Sequence, residues 1–201
     1  MEVSIFEFSL GAVGKTALVK QYVEGYFITD YDPTIQKTCY QKEINVGNQT
    51  IKVKLFDIPG QEDFKPLWTS FAREGDGFLL LYAIDDQYSF QSVQDFYSLI
   101  MSAKGDFSVP FVVCGTKCDF GEERRAVSQS EGEAIAQKLG ASFHEVSSLT
   151  CFDVRETFED IIQKTIHAKY PNKETKGGNG NKKGKKNKSK SKQQKEACNI
   201  E

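Results

Sequence analysis

The chain has 201 residues, 39% of them apolar, enough for one ordinary domain and something more. Its formal charge of −2 hides an asymmetry: from Lys169 onward eleven lysines face Glu174, Glu196 and Glu201, giving that stretch +8 and leaving −10 on the rest. The longest apolar run, Phe78 to Ile84, is too short to span a bilayer, MEVSIFEFSL lacks the basic start of a secretory signal, and Glu2 excludes N-myristoylation.

In chain order, apolar strand-like runs alternate with helical patterns, the signature of a mostly parallel α/β sheet. A first strand is expected near 3–8. Glu7 falls inside it, and burying a carboxylate costs several kcal/mol unless it is paired. It must therefore find a cation or hydroxyl, or the strand is less buried than it looks. A helix follows over 15–25. Strands at 38–46 and 51–57 flank Gly47-Asn48 and should form an antiparallel hairpin. Ile51, Val53 and Leu55 alternate with Lys52 and Lys54, which fits an edge-side strand with one wet face. The continuous runs FLLLY and FVVC place buried parallel strands at 77–84 and 110–115. Between them lies a helix over roughly 87–104. Ser128-x-x-Glu131 is a capping box opening a helix over 128–139, and a strand follows at 141–146. Phe152, Val154, Phe158, Ile161, Ile162 and Ile166 stripe a last helix over 152–168 and read as core. Order is expected to end near Lys169, because GGNGNKKGKKNKSKSKQQK cannot bury a core.

Cys39, Cys114, Cys118, Cys151 and Cys198 form an odd set without a C-x-x-C pair and read as reduced cytosolic thiols. The tail's charge points to a polyanion, and on charge alone membrane surface and nucleic acid are both open. Nucleic acid is disfavoured because the tail interleaves no aromatics.

The segment SLGAVGKT, residues 9–16, sits between the first strand and the first helix. It matches the phosphate-loop pattern G-x-x-x-x-G-K-[ST] except that Ser9 takes the place of the first glycine. In such a loop (Ser9, Leu10, Gly11, Ala12, Val13, Gly14) backbone N–H groups meet phosphate oxygens. Lys15 would reach the β and γ phosphates and Thr16 would ligate Mg²⁺. A side chain at Ser9 is expected to crowd the loop or shift its backbone.

Further segments, in order and spacing, resemble the Ras family of small GTPases over about residues 3–168. Tyr31-Asp32-Pro33-Thr34-Ile35 resembles the family's switch I, and Phe27 matches the aromatic that packs against guanine. Asp57-Ile58-Pro59-Gly60-Gln61 resembles D-x-x-G-Q, with Pro59 in place of the usual alanine. Thr116-Lys117-Cys118-Asp119 resembles N-K-x-D, and Ser147-Ser148-Leu149 sits where S-A-K is typical.

The resemblance implies a P-loop G domain over 1–168: a mostly parallel six-stranded sheet with one antiparallel strand and helices on both faces. It implies that GTP or GDP binds with Mg²⁺ held by Thr16, Thr34 and Asp57. Lys15, Thr34 and Gln61 would act in hydrolysis, Gln61 by orienting the attacking water and Gly60 by sensing the γ-phosphate. Asp119 would read guanine, Lys117 would lie over its ring, and Ser147 and Ser148 would approach its O6. Thr116 replaces the asparagine that ties this loop to the phosphate loop, which is expected to weaken that brace. Gly11 would admit Gln61 and a partner's arginine finger. With no arginine in switch I, fast turnover would need an activating protein.

The resemblance also implies a monomer cycled by an exchange factor and a GTPase-activating protein and read by effectors through Tyr31, Asp32, Pro33, Thr34, Ile35, Gln36, Lys37, Thr38 and Cys39. Gln36 and Lys37 replace acidic residues, so a standard basic Ras-binding domain is not the expected partner. Cys198-Asn199-Ile200-Glu201 has the C-a-a-X frame for prenylation, beside eight lysines between 182 and 195. That pair of signals would anchor the 169–201 tail to an anionic membrane, on the cytoplasmic face and at the plasma membrane foremost. A rival reading stands beside the hydrolysing switch. Ser9, Glu7, Pro59, Thr116 and Leu149 together suit a degenerate module that holds nucleotide weakly and acts by interaction. A nucleotide kinase would need an arginine-rich lid, and 120–168 offers only Arg124, Arg125 and Arg155.

Overall fold

Strand β1 (Glu2–Phe8) sends Val3 and Ile5 to one face and Phe6 and Phe8 to the other, all without exposed surface. Such a strand needs cover on both sides. The computed structural model describes residues 1–29, 32–47, 49–105 and 108–171 and provides that cover with five helices. After β1 come α1 (Lys15–Glu24), β2 (Thr38–Val46), β3 (Gln49–Asp57), α2 (Lys65–Glu74), β4 (Gly77–Ala83) and α3 (Gln87–Lys104). The chain continues through β5 (Phe111–Thr116), α4 (Gln129–Leu139), β6 (Ser142–Val146) and α5 (Val154–Lys169).

The six strands lie in the order β2-β3-β1-β4-β5-β6. The β2–β3 pair is antiparallel and every other pairing is parallel. The expected sheet and its single hairpin are therefore present. On one face Val3, Ile5, Leu55, Leu79 and Leu81 pack with Leu18 and Val19 of α1 and Phe158, Ile161 and Ile162 of α5. On the other, Phe6, Phe8, Phe78, Leu80 and Tyr82 pack with Trp68 and Phe71 of α2 and Phe96 of α3. Side chains and termini fix the helix limits. Asp86 caps α3 by accepting from the Tyr88 and Ser89 N–H groups, and Ser128 with Glu131 forms the expected capping box on α4.

Three expectations need correction. Helix α2 was not foreseen, although Pro66 in its first turn and Trp68, Phe71 and Ala72 at helical spacing signal it. The strand carrying Ile51, Val53 and Leu55 lies one place in from the edge, which β2 occupies. Phe152 is not part of the α5 stripe: it precedes the helix, is 60% exposed and bridges to Ser147. Residues 172–201, with most of the basic tail and Cys198, lie outside the described residues, as do Tyr31 and Asn48.

Glu7 takes neither of the ways out expected for it. It is 1% exposed, and both carboxyl oxygens lack a hydrogen-bond partner among the described residues. Burial, reinforced by the nearby Asp57 charge and opposed by Lys15, pushes its pKa well above the ordinary 4.5. A raised folded-state pKa means that the fold is least penalised below 4.5 and loses stability as the pH climbs through the raised value. Replacing Glu7 by Leu should therefore stabilise the protein at neutral pH by about 1–3 kcal/mol. In urea titrations the gain should shrink as the pH falls from the raised value toward 4.5 and level off below it, and a gain independent of pH would contradict the account.

Candidate functional site

Residues 9–14 turn from β1 into α1 with Ala12 at φ 63° and Gly14 at φ 99°. Gly14 suits this left-handed backbone, which a Cβ would strain. Helix α1 opens there with no side-chain cap among the described residues and no acidic residue in its first turn, an arrangement that suits an anion at its N-terminus. Ser9 lies outside the left-handed region of the backbone. It is buried, and its Oγ accepts from Lys15 Nζ at 2.9 Å. Lys15 Nζ also donates to the Leu10 carbonyl at 3.2 Å. Burial lowers the Lys15 pKa to about 8, against the pull of the Asp57 and Glu7 carboxylates.

Asp57 ends β3 and gathers two hydroxyls. Thr16 Oγ1 donates to its Oδ2 at 2.6 Å, Thr34 Oγ1 does so at 3.3 Å, and the two hydroxyls lie 2.9 Å apart. Asp57 Oδ1 is buried and has no partner among the described residues. Burial raises the Asp57 pKa, while both threonines and Lys15 oppose that shift. Three hard oxygen donors, one of them a carboxylate with a bare second oxygen, fit a small divalent cation such as Mg²⁺.

A groove of about 540 Å³ joins these residues to Gly11, Ala12, Gly14, Lys15, Pro33, Tyr40, Gly60 and Gln61. Gly60 is tightly enclosed: a Cβ there would collide with Lys15 Nζ and lie 2.8 Å from the Ser9 carbonyl oxygen. Gly11 is roomier, since a Cβ would rest at an ordinary 3.9 Å from Gln61 Cγ. Within this chain Gly11 therefore admits Gln61 without strict need of glycine.

The residues expected to recognise the base do not line that groove. Phe27 is 38% exposed. Lys117 adopts φ 62° and reaches Asp85 at 3.4 Å, and exposed Asp119 lies in the single turn Cys118–Phe120. Ser147 is buried and accepts from the Thr150 N–H, with half-buried Ser148 beside it. The brace expected to weaken at Thr116 is present: its hydroxyl lies 2.6 Å from the Val13 carbonyl and 3.0 Å from that of Tyr82. Thr116 thus ties β5 directly to the phosphate loop.

Past Thr34 the chain is exposed through Ile35, Gln36 and Lys37, with half-buried Thr38 and exposed Cys39 opening β2 and Asp32 and Pro33 exposed before it. Lys37 is not a free surface charge. Its Nζ pairs with Glu74 of α2 at 2.6 Å and lies 5.1 Å from the Phe56 ring and 5.3 Å from the Phe71 ring. Trp68 of α2 also escaped the sequence reading. Its indole N–H donates to the Pro59 carbonyl at 3.1 Å, fastening the stretch that carries Gly60 and Gln61.

The fold and the residues gathered at this groove are those expected of the small-GTPase class of α/β proteins. The family model for the Ras family matches residues 9–167. The "Ras-like protein rasS" of Dictyostelium discoideum is 32% identical over 190 residues, 94% of either chain. "Protein ras-1" of Neurospora crassa is 34% identical over 153 residues, 76% of this chain and 71% of that protein. The chain belongs to the Ras family.

Replacing Thr116 by Val keeps the shape and removes the hydroxyl, leaving the buried Val13 carbonyl without that donor. Chemical denaturation should show a loss of about 1–3 kcal/mol, and an unchanged midpoint would mean that the brace contributes nothing.

Proposed function

We propose that the protein is a guanine-nucleotide switch that binds GDP and GTP with Mg²⁺ and hydrolyses GTP slowly unless an activating protein assists. The observation that carries this reading is the cluster of Thr16, Thr34 and Asp57 oxygens beside Lys15, in one groove with Gly60 and Gln61. Thr16, Thr34 and Asp57 would hold the cation, which when bound neutralises phosphate charge. Lys15 and the free N–H groups of the loop bind phosphate oxygens. Gln61 orients the attacking water, and Gly60 leaves its own N–H free for the terminal phosphate. Thr34 sits on a segment that Asp57 alone does not fix, so its attachment can depend on the terminal phosphate. Phe27, Lys117, Asp119, Ser147 and Ser148 form the guanine site, with the Asp119 carboxylate accepting from the base's N–H donors.

The deciding experiment is to purify the protein, release its bound nucleotide and identify it by chromatography. Near-equimolar guanine nucleotide supports the switch. A trace or none supports the rival, a weakly binding interaction module, which one observation favours: Lys15 is already hydrogen-bonded within its own loop.

Cycling would rest on an exchange factor and effectors, with the monomer as the working form. Gln36 and Lys37 stand where a basic Ras-binding domain would meet acidic side chains, so a partner with a neutral or acidic edge fits better. Prenylation at Cys198, supported by the tail lysines, would place the protein on the cytoplasmic face of a membrane, the plasma membrane foremost. Intact-mass measurement on protein from its native cells checks this, and an unmodified mass through Glu201 rejects it.

Asp119→Asn should weaken guanine nucleotide binding by roughly tenfold or more and favour a xanthine nucleotide, because a charged two-bond contact is lost. Competition in which ATP displaces bound nucleotide as well as GTP does would count against guanine recognition. Gln61→Leu should slow GTP loss with binding nearly unchanged, and single-turnover assays with and without an activating protein measure it.

A further inference from the structure

An ammonium carries three N–H donors and no acceptor. In Lys15 two of them are directed at the floor of its own loop, to Ser9 Oγ at 2.9 Å and to the Leu10 carbonyl at 3.2 Å. Ser9 and Lys15 are both buried, so solvent screens the contact little. The Ser9 hydroxyl is itself anchored, donating to the Leu10 carbonyl at 2.8 Å, which turns a lone pair toward Nζ. Gly60 closes another side, since even a methyl group there would strike the ammonium. Lys15 therefore has little freedom to leave Ser9, and one donor remains for a ligand.

On the switch reading given above, a diphosphate end needs one donor from Lys15, whereas a β–γ phosphate pair needs two. We propose that Ser9 is a positioning residue acting through Lys15: its hydroxyl occupies the donor that the γ-phosphate would use and lowers the protein's preference for GTP over GDP. A glycine at this place has no side-chain acceptor and leaves that donor free. A serine that merely filled space would affect both nucleotides alike.

The test uses the full-length protein in excess Mg²⁺, as wild type, Ser9→Ala and Ser9→Gly. Affinities for GDP and for a non-hydrolysable GTP analogue are measured by competition. Both variants remove the hydroxyl and by different amounts the bulk, so agreement between them isolates the hydrogen bond. The ratio of analogue affinity to GDP affinity should rise about tenfold in each, the scale of one charge-assisted hydrogen bond, with GDP binding little changed. An unchanged ratio, or equal tightening toward both nucleotides, overturns the role assigned to Ser9 and leaves the switch reading standing. Failure of all three proteins to bind any guanine nucleotide overturns the switch reading and this inference with it.

Discussion

A single buried carboxylate at the end of β3 holds the site together. The parallel register sets Asp57 beside Glu7, where β1 gives way to the phosphate loop, and the antiparallel register sets it beside Thr38, where β2 begins. Two hydroxyls from otherwise separate segments, Thr16 on α1 and Thr34 before β2, then converge on one oxygen. Desolvation disfavours that charge, and the two threonines with Lys15 are what keep it ionisable. An oxygen held in this way with its twin bare is a poor structural ion pair and a good cation ligand.

The sequence disclosed the sheet almost completely, because buried parallel strands are continuous apolar runs and Gly47-Asn48 marks the hairpin. The phosphate loop and the Asp57-to-Gln61 stretch were equally legible, since their chemistry is local and their spacing is fixed by backbone geometry. Helix α2 was obscured because it carries only three buried residues, Trp68, Phe71 and Ala72, in ten. The hydrogen-bond partners of Ser9 and Thr116 were hidden for a different reason. Each replaces a family residue by one with another shape, and pattern reading counts that as loss. Whether a hydroxyl recovers the lost contact depends on tertiary placement: Thr116 recovers its brace from across the sheet, and Ser9 gains a partner that a glycine could not have. The partner of Lys37 could not be read from the sequence, because Glu74 lies in the helix that the apolar pattern obscured.

Glu7 shows the cost of seating a carboxylate in the apolar layer at the end of β1. β1 alternation commits its side chain to the apolar layer with Val3 and Ile5, where neither oxygen finds a donor. Asp57 nearby makes ionisation harder still, and Lys15 offsets this only in part. Lys15 has a hydroxyl and a carbonyl rather than the Glu7 carboxyl as its hydrogen-bonding partners. The lysine is buried without a direct salt bridge, which is the condition that lowers its pKa.

The two segments that flank the groove are joined away from it as well as through Asp57. Lys37, three residues past Thr34, is clamped between the Phe56 and Phe71 rings and Glu74, and Phe71 and Glu74 belong to α2. The same helix holds the Pro59 carbonyl through Trp68 and packs on α3 through the Trp68–Phe96 ring contact. Lys37 and Trp68 therefore bring the stretch after Thr34 and the stretch carrying Gly60 and Gln61 onto the same helix, an arrangement through which movement of one can be felt by the other. The ion pair is partly exposed and weak alone, and the ammonium's approach to the Phe56 and Phe71 rings adds a cation–π contribution to it. Coupling of this kind needs no pathway of remote residues, because one helix touches both segments directly.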